Sequence, residues 1–450
     1  MVEKMVIEQA QSKKRKYNHE EEDDMMMGFS MEDQLNQDLV EKVLSWLPTS
    51  SFYRSRSVCK RWNSVAESAS FRLACRQVPT RDPWFFMVHN SHLDQSIVFD
   101  TSQCNWKHLN NKRPRRNREI EQQSNLATDN SISSGSNDLI PVAASGGLVC
   151  FRSTGSGAFF VSNPVTGASR ELPVLTISIA MNQNIHAIAM NSSPKGSYRL
   201  VLVLGELPNL AVSVYESEKD CWEEETKLKS QKAEVKAVEG GDEDDSSEAA
   251  GGGGGDEVLY FLSKTGDVVA TNMQRSPSKQ YSSVIAVKDG QEIIYFLSSS
   301  GTVVACNLAK ETFFEYPRML PVCYEYSIDV VECRGEMLVV VLSEFLETAS
   351  LRVWRFSEEE KEEKDRTWCQ IAVMPPSMSQ ELYGKKADIN CVGSGDAKLM
   401  ICVNSSKVSR YLICDLETNG WTELPKCVVD GKPKEFMSAF SFEPRIEARV

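Results

Sequence analysis

The sequence lacks the features that mark membrane, secreted and disulfide-bonded proteins. Its 450 residues contain no stretch of about eighteen uninterrupted apolar residues, so we expect no membrane-spanning helix. The first residues lack the apolar core of a signal peptide. The 13 cysteines are odd in number, scattered, and never spaced as C-x-x-C. This pattern predicts buried thiols in a reducing compartment, and neither a disulfide framework nor a zinc site.

Histidine is scarce, and this limits the catalytic chemistry that the chain can support. Only five histidines occur, and none lies in an H-E-x-x-H motif. No G-x-S-x-G nucleophile elbow is present, and the glycine run 251–255 is not followed by the Lys-Ser/Thr of a phosphate-binding loop. His89 and His92 are two ligands at most, too few for a metal site. We therefore predict no catalytic residues, no metal and no cofactor.

Concentrated positive charge is also missing. The net charge is −13, which argues against nucleic acid as the main partner. Two local basic runs are the exceptions, and each is a candidate nuclear import signal or a solvated basic patch. They are Lys13, Lys14, Arg15 and Lys16 in the N-terminal tail, and the run 112–116. The expected location is the nucleus, the cytoplasm or both.

The most informative stretch that is present lies between Leu35 and Trp62. Apolar residues recur there at the spacing of one helical face, Asn36 is a candidate N-cap, and Pro48 ends the first helix. The apolar residues of that face are Leu39, Val40, Val43, Leu44 and Leu47. A second short helix and a third carrying Val58 and Trp62 should follow. Three helices in about forty residues enclose too little core to be stable alone, which indicates a partner surface or packing on the rest of the chain.

This stretch resembles an F-box. The similarity rests on Leu35, Asp38-Leu39-Val40, Val43-Leu44, Leu47-Pro48 and Val58-Cys59-Lys60-Arg61-Trp62, with Leu35-Asn36 in place of the usual Leu-Pro opening. The resemblance implies docking on a Skp-type adaptor and, through it, on a cullin. The adaptor anchors that it implies are Leu35, Leu39, Val43, Leu44, Leu47, Pro48, Val58, Cys59 and Trp62. Some of these must instead hold the helices together, and we expect Leu44→Asp or Leu47→Asp to abolish adaptor binding. An ordinary helical hairpin with a buried tryptophan is the alternative.

The rest of the chain, from Trp84 onwards, predicts an all-β domain with an internal repeat. Short β-branched and aromatic runs recur between turn residues. In the repeat, an acid or amide ends one strand and an aromatic follows six positions later. The clear copies are Asp100 and Trp106, Glu216 and Trp222, Asn307 and Phe313, and Asp415 and Trp421. Phe356 and Trp368 belong to a copy that carries a charged insertion, 358–366, in its turn. Asn163 heads a degenerate copy that has lost its aromatic residue. The acid should cap a tight turn, and the aromatic should fill the gap between neighbouring sheets. Glycines upstream of some repeats, Gly146-Gly147, Gly335 and Gly395, are expected at the sharp entry to an inner strand.

These hairpins resemble the kelch repeat in the form found in plant F-box/kelch proteins, which implies a β-propeller. The span 84–443 holds 360 residues, and removing two insertions of about 27 residues each leaves roughly six blades of 51. Seven blades are the alternative, if the similar runs VLYFLSKTGDVVATN and IIYFLSSSGTVVACN belong to separate blades. The run Phe436 to Phe442 is predicted to complete the first blade. A pair of β-sandwiches is the other alternative for this domain.

The predicted organisation is mainly β, with a small three-helix F-box before a kelch-type propeller. We assign residues 1–30 to a disordered tail, 31–76 to the F-box and 84–444 to the propeller, with disordered insertions at 110–138 and 239–256. By resemblance, the chain is the non-catalytic substrate-recognition subunit of an SCF-type ubiquitin ligase. Its propeller would hold an unknown target protein, with no nucleic acid or membrane partner. The alternatives are a propeller oxidase with a metal site, and a scaffold that binds the adaptor without directing degradation.

Overall fold

The computed structural model describes most of the helical region and of the predicted β-domain. The described residues are 36–89, 96–109, 139–175, 185–193, 196–231, 260–262, 268–270, 281–298, 301–317, 319, 325–357 and 367–450. The tail 1–30, the two basic runs, both insertions, Leu35, His92 and the charged turn 358–366 lie outside them. The predictions made for those residues therefore stay predictions.

The first two N-terminal helices lie where the sequence predicts, but the third begins after Val58, and there is one helix more than expected. They are α1 (Gln37–Ser45), α2 (Thr49–Ser55), α3 (Lys60–Ser64), a 3-10 turn (Val65–Glu67) and α4 (Ala69–Arg76). The Asn36 side chain accepts a hydrogen bond from the backbone N–H of Asp38 at 3.2 Å, which caps α1 as predicted. Ser68 caps the additional helix α4 through the N–H of Phe71. No described helix is both long enough and apolar enough to cross a bilayer.

Six sheets of four main strands follow, and each is one blade. In order from the innermost strand outward, blade 1 is β30 (Phe436–Phe442), β1 (Trp84–His89), β2 (Ser96–Asp100) and β3 (Asn105–Leu109). Blade 2 is β4 (Leu139–Ser145), β5 (Leu148–Ser153), β6 (Phe159–Ser162) and β7 (Ser169–Glu171). Blade 3 is β8 (Ile185–Ser192), β9 (Tyr198–Glu206), β10 (Asn209–Glu216) and β11 (Cys221–Trp222), with β12 (Thr226–Lys227) also pairing with β10.

The remaining three blades repeat this order. Blade 4 is β16 (Ser283–Lys288), β17 (Gln291–Leu297), β18 (Val303–Asn307) and β19 (Thr312–Glu315), with β13 (Lys229–Ser230) at its outer edge. Blade 5 is β20 (Glu325–Cys333), β21 (Glu336–Phe345), β22 (Thr348–Ser357) and β23 (Thr367–Val373). Blade 6 is β24 (Asp388–Gly393), β25 (Lys398–Asn404), β26 (Ser409–Asp415) and β27 (Gly420–Glu423). Helix α5 (Pro376–Ser379) and a 3-10 turn (Gln380–Leu382) connect blades 5 and 6, and a hairpin of β28 (Val428–Val429) and β29 (Lys432–Pro433) precedes β30.

The six innermost strands close into a ring, so the domain is a six-bladed β-propeller. Around the ring, β30 contacts β4, β4 contacts β8, and the sequence continues through β16, β20 and β24 back to β30. Strand β30 comes last in the chain yet pairs with β1 in blade 1, with Trp84 opposite Phe442. The prediction that Phe436 to Phe442 completes the first blade is confirmed. Pairing of the last strand of the chain with the first strand of the domain therefore closes the ring between the first and last blades.

The predicted repeat is the hairpin between the third and fourth strands of a blade. The residue before the acid or amide pairs with the aromatic in each clear copy, as Phe99 does with Trp106 and Cys414 with Trp421. Asp415 Oδ1 accepts hydrogen bonds from the N–H groups of Glu417 and Thr418, both at 3.0 Å. The acid therefore closes the turn, as the sequence indicated.

At three of the blade junctions a tryptophan connects one blade to its neighbour, and a proline carbonyl accepts its hydrogen bond. The indole N–H of Trp106 donates to the carbonyl of Pro425 in blade 6 at 2.8 Å. Trp222 in blade 3 donates in the same way to Pro173 of blade 2 at 2.8 Å. Trp368 in blade 5 donates to Pro317, just after blade 4, at 3.1 Å. The proline that follows the outer strand of one blade thus accepts a hydrogen bond from the tryptophan of the next.

Two expectations about the blades need correction. Strands β14 (Tyr260–Leu262) and β15 (Val268–Ala270) form a two-stranded hairpin, and among the described residues they join no blade, so the seven-blade alternative is wrong. The glycines upstream of some repeats were expected at the turn into an inner strand. Gly335 and Gly146 instead follow the inner strand, in its turn to the second strand, with φ of 79° and 60°. Their left-handed backbone explains the preference for glycine at that turn.

Candidate functional site

Helix α1 has two apolar sides, and only one of them is buried. Val40 and Leu44 lie inside the helical unit, exposed by 4% and 1%. They pack there with Phe52, Val65, Phe71 and Cys75, and the rings of Phe52 and Phe71 stack with centroids 4.9 Å apart. These residues form the core of the helical unit.

The other side of α1 carries an apolar stripe that no described residue covers. Leu39, Val43 and Trp46 follow one another at i, i+4 and i+7, and their exposed fractions are 52%, 55% and 56%. The Lys42 ammonium lies 6.0 Å from the centroid of the Trp46 ring. Val58 and Leu73 are also largely exposed, at 64% and 59%. Large apolar side chains clustered on so small a unit are typical of a surface that binds another protein.

The predicted anchors therefore divide into three groups. Leu39, Val43, Pro48 and Val58 are exposed and available to a partner, whereas Leu44 is a core residue. Leu47, Cys59 and Trp62 are half-buried. The Cys59 sulfur accepts the backbone N–H of Trp62 at 3.5 Å, which caps α3. The Leu44→Asp test suggested by the sequence would charge the core, so it would report folding and not adaptor contact.

Trp46 and Leu73 were not predicted as part of this surface. Trp46 is the C-cap of α1, two residues before Pro48, and was not included in the apolar face. Its spacing of three from Val43 and seven from Leu39 is the signal that would have found it. Leu73 belongs to α4, the helix that the sequence reading did not predict.

A buried ionic cluster joins the helical unit to blade 1. Asp100, at the end of β2, is fully buried, and the Lys107 ammonium lies 3.2 Å from its Oδ2. The Ser50 hydroxyl, from helix α2, donates to the same carboxylate oxygen. Burial alone would raise the pKa of Asp100, but hydrogen bonds from Ser102 and Ser50 and the charge of Lys107 hold this pKa below its ordinary value. The carboxylate is thus charged, satisfied and shared by the two domains.

The C-terminal segment provides a second set of contacts to the helical unit. The Thr49 hydroxyl donates to the carbonyl of Pro444 at 2.6 Å, and Ile446 packs against the helical core. The Arg445 guanidinium donates to the carbonyls of Val78 and Pro79, at 3.1 and 2.8 Å. Because these contacts join the helices to the end of the chain as well as to blade 1, they fix the orientation of the helical unit on the propeller.

Other reactive side chains do not gather into a site among the described residues. No group of three or more His, Cys, Asp or Glu that could hold a metal ion occurs in the described part of the chain. His89 lies against the ring of Phe436, with centroids 6.0 Å apart. Seven described cysteines are buried, and burial raises the pKa of Cys306, for example, to about 12. These thiols are core residues, as the sequence indicated.

Comparison with known proteins explains the pairing of a helical unit with a propeller. An F-box domain model matches residues 33–74, which include α1 to α3 and most of α4. A model described as a KIB1-4 beta-propeller matches residues 127–379. The chain is also 46% identical over 447 residues to "F-box only protein 13" of Arabidopsis thaliana, an alignment that covers 97% of this chain and 90% of that protein. The chain belongs to the plant F-box proteins.

Two further relatives fit the same family. "F-box only protein 6" of Arabidopsis thaliana is 24% identical over 422 residues, covering 92% of this chain and 74% of that protein. An F-box/kelch-repeat protein from the same plant is 32% identical over 147 residues, which covers 32% of this chain and 30% of the relative. The helical unit is therefore an F-box, and an F-box implies in general the binding of a Skp-type adaptor. Proteins with this pair of domains are typically non-catalytic adaptors.

Proposed function

We propose that this chain is the substrate-recognition subunit of an SCF-type ubiquitin ligase. Its F-box binds a Skp-type adaptor and thereby a cullin, and its propeller binds the protein to be ubiquitinated. The chain performs no bond chemistry in this role. It holds the target's lysines near the ubiquitin-charged enzyme, so that transfer becomes effectively intramolecular.

The observation that carries this proposal is the uncovered stripe of Leu39, Val43 and Trp46. The core of the F-box is already filled by other residues, so the stripe is not needed to hold the helices together. Its side chains would gain about 1.5–3 kcal/mol each if a partner buried them. Trp46 is the strongest candidate for a dominant contact, because tryptophan is enriched among the residues that carry binding energy.

The rigid junction supports the second half of the proposal. A receptor that positions a target needs a fixed geometry between its two binding sites. The buried Asp100–Lys107 pair and the contacts of Thr49 and Arg445 provide such a connection. Location in the nucleus or cytoplasm stays a prediction, based on the basic run at Lys13 to Lys16 outside the described residues.

The test is a pull-down of the full-length chain with purified Skp-type adaptor, comparing Val43→Asp with Val287→Asp. Val287 lies on β16 of the propeller and is 56% exposed, so it matches the 55% of Val43 in residue type and exposure. We expect wild type and Val287→Asp to retain the adaptor, and Val43→Asp to bind at least about tenfold more weakly. All three should unfold at the same urea concentration.

Equal adaptor binding by wild type and Val43→Asp would refute the assignment of this surface. If the adaptor is retained, reconstitution with cullin and ubiquitin-charged enzyme examines the ligase role. Ubiquitin transfer that is no faster with the chain than without it would favour the alternative, a scaffold that binds the adaptor without directing degradation.

A further inference from the structure

The face of the propeller opposite the F-box can be identified from the direction of the inner strands. Strand β30 runs towards the F-box, because residues 443–450 that follow it contact the helices. The inner strands end on the same side, as shown by the N–H of Glu443 donating to Gly146 and by the Cys333 sulfur donating to the carbonyl of Ser394. The turns between second and third strands, and the connections between blades, therefore lie on the far face.

Three large side chains, Phe345, Leu346 and Tyr383, are exposed on this far face at the tip of blade 5, and we call them the apolar knob. Phe345, the last residue of β21, and Leu346, in the turn to β22, are exposed by 52% and 79%, and Tyr383 is exposed by 41%. Two hydrogen bonds connect the turn to the segment that carries Tyr383. The N–H of Gly384 donates to the Glu344 carboxylate, and the Gln380 amide donates to the carbonyl of Glu347, each at 2.9 Å.

The backbone of this turn makes the exposed leucine unusual. Leu346 and Glu347 have φ of 47° and 62°, the left-handed region that two-residue turns of this kind normally fill with asparagine and glycine. A large branched side chain is disfavoured there. Such conformations concentrate at binding sites, which fits a role for Leu346 outside the fold.

Lysines border the knob on the side of blades 6 and 1. Three loops on the far face, 384–387, 405–407 and 425–435, together carry six lysines and two acids, Asp430 and Glu435. The acids next to the knob lie on its blade 5 side, where Glu344 and Glu347 flank the turn and Glu381 pairs with Arg410. The six lysines are Lys385, Lys386, Lys407, Lys426, Lys432 and Lys434. None of them forms an ion pair with any residue that the structure describes. In a chain of net charge −13, this concentration of unpaired positive charge is local to the far face.

Hydrogen bonds beside these loops connect the elements that carry them and so place the loops next to one another. Arg410, which follows the 405–407 loop, donates to the carbonyl of Met378 in α5 at 3.2 Å. The Asn404 amide donates to the carbonyl of Met437, at the start of β30, at 3.0 Å. The surface therefore runs from the knob on blade 5, across blade 6, to the loop before β30.

We propose that this lysine-bordered surface is where the propeller docks its target, and that it binds a segment rich in aspartate and glutamate that carries a large apolar side chain. The apolar side chain would pack against Phe345, Leu346 and Tyr383, and the carboxylates would face the lysines of blades 6 and 1. Complementary charge gives such a contact its specificity and speeds its formation. The proposal rests on the proposed receptor role. Because the surface lies on the face away from the F-box, adaptor and target do not compete.

The experiment measures binding of a fluorescein-labelled Glu-Asp-Glu-Leu-Phe-Glu-Asp-Glu peptide to the full-length chain by fluorescence anisotropy. Two variants change the surface. The first combines Lys407→Glu and Lys432→Glu, and the second is Leu346→Asn, chosen because asparagine tolerates the left-handed backbone of that turn. The matched control is Lys227→Glu with Lys310→Glu, because both lysines are exposed and lie away from this surface. We expect about tenfold or greater weakening in each surface variant, and wild-type affinity in the control.

Several results would overturn this proposal. One is the absence of binding at millimolar peptide, and another is equal weakening in the control, which would show general charge attraction only. Binding of a phosphoserine peptide but not of the glutamate peptide would assign the surface to phosphorylated segments instead. The adaptor pull-down on the same samples separates the two proposals. Adaptor bound without peptide refutes only this surface, whereas peptide bound without adaptor refutes only the ligase role.

Discussion

The buried pair of Asp100 and Lys107 allows a quantitative test of how the F-box is attached. Asp100→Asn keeps the size of the side chain but removes the negative charge 3.2 Å from the buried Lys107 ammonium. The two side chains are exposed by 0% and 4%, so water cannot replace the lost partner. Removing one member of such a pair typically costs about 3–5 kcal/mol. We expect the lower end, because Gln103 still accepts a hydrogen bond from Lys107 at 2.7 Å.

The double variant Asp100→Asn with Lys107→Met completes a thermodynamic cycle. It removes the buried ammonium as well as the carboxylate, so we expect it to recover about 1–2 kcal/mol relative to Asp100→Asn alone. The assay is urea unfolding of the full-length chain, followed by tryptophan fluorescence, with the denaturant slope compared among variants. A cost below about 1 kcal/mol for Asp100→Asn would refute the reasoning. The reasoning would also fail if the costs of Asp100→Asn and Lys107→Met, each measured alone, added up to the cost of the double variant within about 0.5 kcal/mol. Ser50→Ala isolates the contact from the F-box, and we expect it to cost about 1–2 kcal/mol.

Two further predictions follow from the same contacts. Because the pKa of Asp100 is lower in the folded chain than its ordinary value, its contribution to stability is present above about pH 4 and is lost as the pH falls through the folded value. The difference in unfolding free energy between wild type and Asp100→Asn should therefore shrink in urea titrations from pH 5 to pH 3, and a constant difference would contradict this. Trp106→Phe should cost about 1–2 kcal/mol, because it removes the hydrogen bond to Pro425 of the neighbouring blade. Trp421→Phe is the control, since that indole N–H donates to Asn419 of its own hairpin, and equal losses in the two variants would argue against the inter-blade role.

Local patterns in the sequence are strong enough to determine the architecture. The repeat of an acid followed by an aromatic reappears as the hairpin of the two outer strands, because turn capping and strand pairing act over a few residues. Asn36 and Pro48 likewise determine where the first helix begins and ends, through hydrogen bonds and backbone geometry close to them. The extra helix α4 was missed, although Ser68 at its start is a typical cap.

The site depended on contacts between residues far apart in the chain. A single apolar face was predicted for α1, but packing against Phe52 and Phe71 buries Val40 and Leu44 and leaves Leu39 and Val43 outside. The sequence by itself indicated that an F-box precedes a β-propeller, since helix spacing and the hairpin repeat are local properties, whereas the tertiary structure decided between six and seven blades. Only the tertiary structure decided which side of α1 faces outward, how Asp100 and the C-terminal segment hold the F-box, and which lysines share a face. Burial and charge at each of these places are set by neighbours that periodicity cannot identify.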